Sequence, residues 1–184
     1  MALVDELKAR GVHQPGHWEL KSGRHAEVFL QCALAMQDPA FARRIGRQLA
    51  DRLREFDADV VAAPGVSSML LAFVVAEALA ARVIWFEQGR RGHGLRRGQR
   101  VAPGDRVVVV EDVLTTGRTA QKSTAFMQRK GAEVVGYAAM VDRSTDGLPL
   151  PWPATSLVHE PLVTYAAQDC PLCAEGLPLA DPSA

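Results

Sequence analysis

Apolar and polar positions fall into alternating blocks along this chain. Residues 3–10 place apolar side chains at helical spacing and predict a short amphipathic helix. Residues 12–24 carry Gly, His and Pro without a clear period and are expected to be irregular. Residues 27–34 read as a strand. Residues 39–56 have helical periodicity, with Asp38 as the cap and Pro39 at the first helical position. From there strands and helices alternate. Residues 59–63 predict a short buried strand, 67–81 an apolar helix and 82–86 a strand. Residues 87–103 are rich in Gly and Arg and lack periodicity. Residues 106–110 are apolar on both faces, as a central strand is. A helix over 116–129 and a strand over 133–141 follow. Beyond Thr145 the chain is Pro-rich and expected to be an irregular packed tail, with one strand near 155–158.

This order predicts an α/β fold, a mainly parallel twisted sheet with helices on both faces. Ligands in such sheets sit beyond the carboxyl ends of the strands. Glu111, Asp112, Arg143 and the turn Ala63-Pro-Gly-Val-Ser-Ser68 all fall at predicted strand ends, so they are expected to converge.

Composition narrows the function classes. At 184 residues the chain is expected to form one domain, 1–184. A formal net charge of zero gives no support for a nucleic-acid or membrane-surface binder. No apolar stretch reaches the ~18 residues of a membrane span. The N-terminus carries charges where a signal peptide needs an apolar run, and the protein is expected in the cytoplasm. Cys32, Cys170 and Cys173 do not make a secreted disulfide framework.

The stretch Val107-Val-Val-Val-Glu-Asp-Val-Leu-Thr-Thr-Gly-Arg-Thr119 carries the chemistry. A strand runs into two carboxylates, which accept hydrogen bonds from sugar hydroxyls. A Thr/Gly turn follows at a helix start, where backbone N–H groups receive a phosphate. Together the halves suit a ribose 5-phosphate. A solvated acidic turn with Thr115 or Thr116 as helix cap is the plainer alternative. No Gly-Lys-Ser/Thr follows the turn, and no G-x-G-x-x-G occurs there.

The same stretch resembles the phosphoribosyl-pyrophosphate (PRPP) motif of type I phosphoribosyltransferases. The segment Gly16-His-Trp-Glu-Leu-Lys-Ser-Gly-Arg-His-Ala-Glu-Val-Phe-Leu-Gln31 resembles the hood of the orotate phosphoribosyltransferases, as do Val141-Asp-Arg143 and Asp169-Cys-Pro-Leu-Cys173. The resemblance implies the type I fold, with a small hood from about 1–36 plus part of the tail. It implies transfer of phosphoribosyl from PRPP to orotate, assisted by Mg²⁺ held mainly by PRPP and water.

By the same resemblance Thr115, Thr116, Gly117, Arg118 and Thr119 cradle the 5-phosphate, and Val113 and Leu114 belong with them to the PRPP site. Glu111 and Asp112 take the ribose, with Asp112 nearest the reacting carbon. Arg143, Thr115, Lys21 and Phe29 meet orotate, and Lys21 also meets PRPP. For Arg143 a surface salt bridge to Asp142 is the alternative, and for Phe29 plain core packing. Residues 87–98 match the family's mobile loop, which reaches across a homodimer. Arg90, Arg91 and His93 are its nearest cations to pyrophosphate, with Asp112, Arg91 and His93 the catalytic candidates.

Two departures from the family pattern stand out. The loop has no lysine, where the family pattern carries two, and arginine is not an equivalent proton donor. Ser67 and Ser68 stand where the family usually has Gly-Gly. These leave open a PRPP-binding regulator or weakly active paralogue, or a transferase for another base. Cys170-x-x-Cys173 is half a zinc site, to be completed by a second subunit or by His159, or a redox pair, or two reduced cysteines. Cys32 is expected to be a small buried hydrophobe. His13, His17 and His25 are expected to make local hydrogen bonds only.

Overall fold

A computed structural model of the chain describes residues 1–90, 92–145, 147 and 150–182. Helix α1 (Leu3–Ala9) leads into β1 (His13–Glu19), β2 (His25–Leu30), the short α2 (Ala33–Met36) and α3 (Pro39–Leu53). Asp38 caps α3, accepting from the N–H groups of Ala40 at 3.0 Å and Phe41 at 3.2 Å. Then come β3 (Val60–Ala63), α4 (Met69–Leu79), β4 (Arg82–Gly89), β5 (Gly92–Leu95), β6 (Arg106–Leu114), α5 (Arg118–Gln128) and β7 (Glu133–Asp142). The tail contributes β8 (Ala154–His159), β9 (Thr164–Tyr165) and the single turn α6 (Pro171–Ala174).

Six strands form one sheet in the order β5-β4-β3-β6-β7-β8. All neighbours are parallel except β4 and β5. Val108 and Val110 of β6 face the larger core, built with α3 and α4. Val107 and Val109 face the opposite core, with Ala120 and Met127 of α5. All four valines are buried, each contributing about 1.5–3 kcal/mol by removal from water. Two buried faces explain the unbroken apolar run. Helices α3 and α4 meet at Gly46, where a Cβ would come within 2.7 Å of the Val74 side chain. The close approach needs a residue without one.

Three expectations are corrected. Residues 12–24 are not irregular: β1 pairs antiparallel with β2. The register slips between Pro15 and Trp18, and β1 lies at the edge of a three-stranded sheet β1-β2-β9. Pro and Gly are tolerated at edges and bulges, which hides the strand from a period count. Residues 87–89 and 92–95 are likewise ordered, as strands β4 and β5 with Glu87 opposite Gly94 and Gln88 opposite His93. Their glycines erase the alternation that would have shown them. Finally, β6 does not stop at Val110. It pairs with β7 through Leu114, so both carboxylates lie within the strand.

Candidate active site

The carboxyl ends of β3, β6 and β7 are adjacent, and Ser67, Glu111, Asp112 and Arg143 lie at or just beyond them. Strand alternation sends the two neighbouring acids to opposite faces of β6. Asp112 lies on the α3/α4 side. The Ser67 hydroxyl donates to it and the Lys21 ammonium acts on it through space. Burial outweighs both and raises its pKa. Glu111 lies on the α5 side, where the Ala120 N–H donates to its carboxylate. Its Oε1 is buried without a partner. Burial, then the charge of Asp112, pushes Glu111 up to about 8.

The turn after β6 is exposed at Thr115 and Thr116 and buried at Gly117. Gly117 is the N-cap of α5, with φ 68° and ψ 4°. A Cβ there would lie 2.9 Å from the Leu150 side chain. Both facts call for glycine. Neither Thr115 nor Thr116 caps the helix, since no side chain bonds at that N-cap. Of the first-turn N–H groups, that of Ala120 goes to Glu111, and the Gly117 N-cap supplies no side-chain cap beside the exposed threonines and Arg118.

Arg143 follows β7 directly and is only 6% exposed. Among the described residues it forms no salt bridge, and its Nη2 is buried without a partner. Asp142 instead faces His159 at 3.3 Å and accepts from the Ser144 N–H. The surface pair offered as an alternative is not formed. Burial lowers the pKa of Arg143. A buried guanidinium with a free donor is an expensive arrangement in the absence of an anion. Ser144 beside it is also buried, with its hydroxyl unpartnered.

The hood comprises β1, β2 and β9. Lys21 is exposed in the β1–β2 turn, which Gly23 closes with φ 73°. Phe29 is half-buried and lies outside both cores, its ring tilted on Trp18 at 5.7 Å between centroids. Arg90 is exposed at the tip of the β4–β5 hairpin, and Arg91 lies outside the described residues. His93 stacks on Phe86 at 4.9 Å and shares a hydrogen bond with the Ser123 hydroxyl of α5 at 3.1 Å. Burial, then Lys122, lowers its pKa, so it is neutral at pH 7.

A buried cation, paired acids and an open helix start at adjacent strand ends suit an anionic phosphosugar and an anionic partner. Comparison with known proteins agrees. The phosphoribosyl transferase domain family matches residues 35–171. The orotate phosphoribosyltransferase of Thermus thermophilus is 38% identical over 180 residues, 97% of this chain and 98% of that protein. That of Caldanaerobacter subterraneus subsp. tengcongensis is 37% identical over 167 residues, 91% of this chain and 88% of its own.

The chain belongs to the orotate phosphoribosyltransferase family.

Among solved structures of that family, the Aeropyrum pernix enzyme superposes with a TM-score of 0.67 at 25% identity, covering 85% of this chain and 93% of that one. The Mycobacterium tuberculosis enzyme in complex with PRPP gives 0.63 at 24%, covering 85% and 93%. For the fold class, the motif and the hood resemblance agree with these relatives. Two features of this family member escaped the sequence reading. The Ser67 bond to Asp112 depends on a contact between the turn after β3 and strand β6, which the departure from Gly-Gly flagged without resolving. His17, His25, Cys170 and Cys173 are brought together, whereas His159 pairs with Asp142. Half of that cluster, the C-x-x-C, was legible.

Proposed function

We propose that this chain transfers the phosphoribosyl group of PRPP to orotate, releasing orotidine 5′-phosphate and pyrophosphate in pyrimidine (UMP) synthesis. The carrying observation is Arg143, a buried guanidinium with an unpaired donor beside the sugar site. Orotate has the carboxylate such a fork takes, and a neutral purine does not. Thr115 and the half-buried Phe29 complete the orotate pocket, with Lys21 above.

The 5-phosphate sits on Thr115, Thr116, Gly117, Arg118 and Thr119 at the α5 start, with Val113 and Leu114 forming the floor. Asp112 and Glu111 flank the ribose hydroxyls. Asp112 is aligned by Ser67 and shares its side of β6 with Lys21. A ring nitrogen of orotate forms a bond to the anomeric carbon as the bond to pyrophosphate oxygen breaks. Holding both reactants in line lowers the barrier by making the encounter intramolecular. Arg90 and His93 of the hairpin, with Arg91 by the family resemblance, meet the leaving group. His93 enters neutral and can accept charge only as it gains a proton.

Mg²⁺ fits the oxygen-rich surroundings, where Glu111 Oε1 is a buried acceptor without a partner. PRPP and water would supply its main ligands, and it would neutralise pyrophosphate charge when bound.

We further propose a homodimer. Val66 in the 3₁₀ turn before α4, and Leu70 and Phe73 on α4, are 59%, 52% and 59% exposed, an apolar strip suited to a second copy. On this reading residues 87–98 serve the neighbouring site. Three free cysteines suit the reducing cytoplasm. Among the described residues no helix is long and apolar enough to cross a membrane.

The test is direct. Purified chain with PRPP, Mg²⁺ and orotate should consume the orotate absorbance. PRPP binding by calorimetry without turnover would instead establish a binding regulator. Turnover of adenine or hypoxanthine in preference to orotate would redirect the substrate.

A further inference from the structure

We propose that His17, His25, Cys170 and Cys173 bind one structural zinc ion that ties the hood to the C-terminal tail. The four residues each aim one ligand atom at a common point, and these atoms all lie within 4.8 Å of one another. His17 Nε2 is 3.0 Å from His25 Nδ1, 3.5 Å from Cys170 Sγ and 3.6 Å from Cys173 Sγ. Cys173 Sγ is 3.3 Å from His25 Nδ1. A tetrahedron with zinc bond lengths of about 2.0 Å to nitrogen and 2.3 Å to sulfur has edges of roughly 3.3–3.8 Å. These four separations match those edges to within a few tenths of an ångström, and the remaining pairs lie within 4.8 Å, close enough for a bound ion to draw in.

Hydrogen bonding alone does not account for it. His17 Nδ1 lies 2.9 Å from the Leu177 carbonyl, which only accepts. Nδ1 therefore carries the ring proton, and Nε2 presents a bare lone pair to the cluster. One lone pair accepts one hydrogen bond, yet three polar atoms crowd that nitrogen. A cation at the centre gives every atom a partner. The Leu177 carbonyl then plays the orienting part that backbone carbonyls play behind metal-binding histidines.

The charge balances as well. His17, His25 and Cys170 are buried, at 5%, 5% and 4% exposure. Zinc binding displaces the two thiol protons to solvent, and two thiolates cancel the +2 charge. Both cysteines are free thiols rather than a disulfide. A closed set of two sulfurs and two imidazole nitrogens suits zinc in a structural role, with no open position for chemistry.

The placement gives the ion a purpose. His17 is near the end of β1 and His25 begins β2, so the metal closes the base of the turn that carries Lys21. Cys170 and Cys173 bring the tail, whose Ala180 exchanges backbone hydrogen bonds with His17 and Glu19. The site stands independently of the proposed reaction; only its effect on Lys21 rests on that reading.

The full chain, reduced and stripped by chelator, is titrated with Co²⁺ and then Zn²⁺. One equivalent of Co²⁺ should give thiolate charge-transfer and tetrahedral ligand-field absorption, displaced one for one by Zn²⁺. Cys173 is exposed, so Cys173→Ser leaves the core intact, and it should weaken binding by more than about 100-fold, beyond the loss typical of outer-shell partners. Metal removal should lower the wild-type Tm and zinc should restore it, a readout that survives if the variant misfolds. A reduced, natively folded wild type with no saturable cobalt spectrum overturns the site. So does stoichiometric binding that Cys173→Ser leaves unchanged.

Discussion

Glu111→Gln separates the electrostatics of the sugar site from its shape. Glutamine has nearly the same volume and can still accept from the Ala120 N–H, but it cannot ionise. In the folded chain Glu111 titrates at about 8 against an ordinary 4.5, because burial and then Asp112 oppose its charge. The folded state thus holds this proton more tightly than the unfolded state does. The stability gained is complete below about pH 4.5 and is lost as pH rises through about 8. At about 1.4 kcal/mol per pH unit the displacement corresponds to about 5 kcal/mol. Glu111 keeps some contact with water, and screening reduces the measurable effect to about 2–3 kcal/mol. Urea denaturation of both proteins, zinc-loaded and without PRPP, reads it. The curves should coincide near pH 5, and Glu111→Gln should be the more stable by about 2–3 kcal/mol near pH 8.5. A constant difference across that range would refute the buried, unpaired state of Glu111.

Other outcomes follow from single contacts. Arg143→Met removes a buried, unpaired charge, so the free protein should keep or gain thermal stability while the orotate KM rises about 10–150-fold and the PRPP KM changes little. Equal changes in both KM values would mean that Arg143 is not the orotate anchor. Gly46→Val drives a side chain into Val74 and should destabilise by about 1–3 kcal/mol or more in denaturant titration. Ala80 ends α4 with φ 55°, so Ala80→Gly should stabilise by about 0.5–1 kcal/mol; a loss of stability would contradict that conformation.

What was legible in the sequence was whatever burial writes into it. The runs at Val60–Ala63 and Val107–Val110 are apolar because two helical layers cover them, and the Asp38-Pro39 cap is local chemistry. The parallel sheet and the meeting of strand ends followed. Less legible were elements whose order comes from distant partners. Strand β1 is held by β2 and, at Trp18, by Ala180 of the tail, and hairpin β4–β5 by His93 packed on Phe86 and Ser123. No local period records such contacts.

The paired acids show the same division within the site. Adjacent in sequence, they read as one acidic feature, and a turn would have let them act as one. Because β6 continues to Leu114, the pleat separates them: Asp112 joins Ser67 and Lys21, while Glu111 joins the α5 start. On the proposed function, a phosphosugar laid across the strand end would engage both faces, its ribose between the acids and its phosphate over α5. On that reading two neighbouring acids approach the ribose from opposite faces of the strand, which a pair on a single face would not do. On that geometry Asp112 should govern the chemical step and Glu111 the alignment of sugar with phosphate.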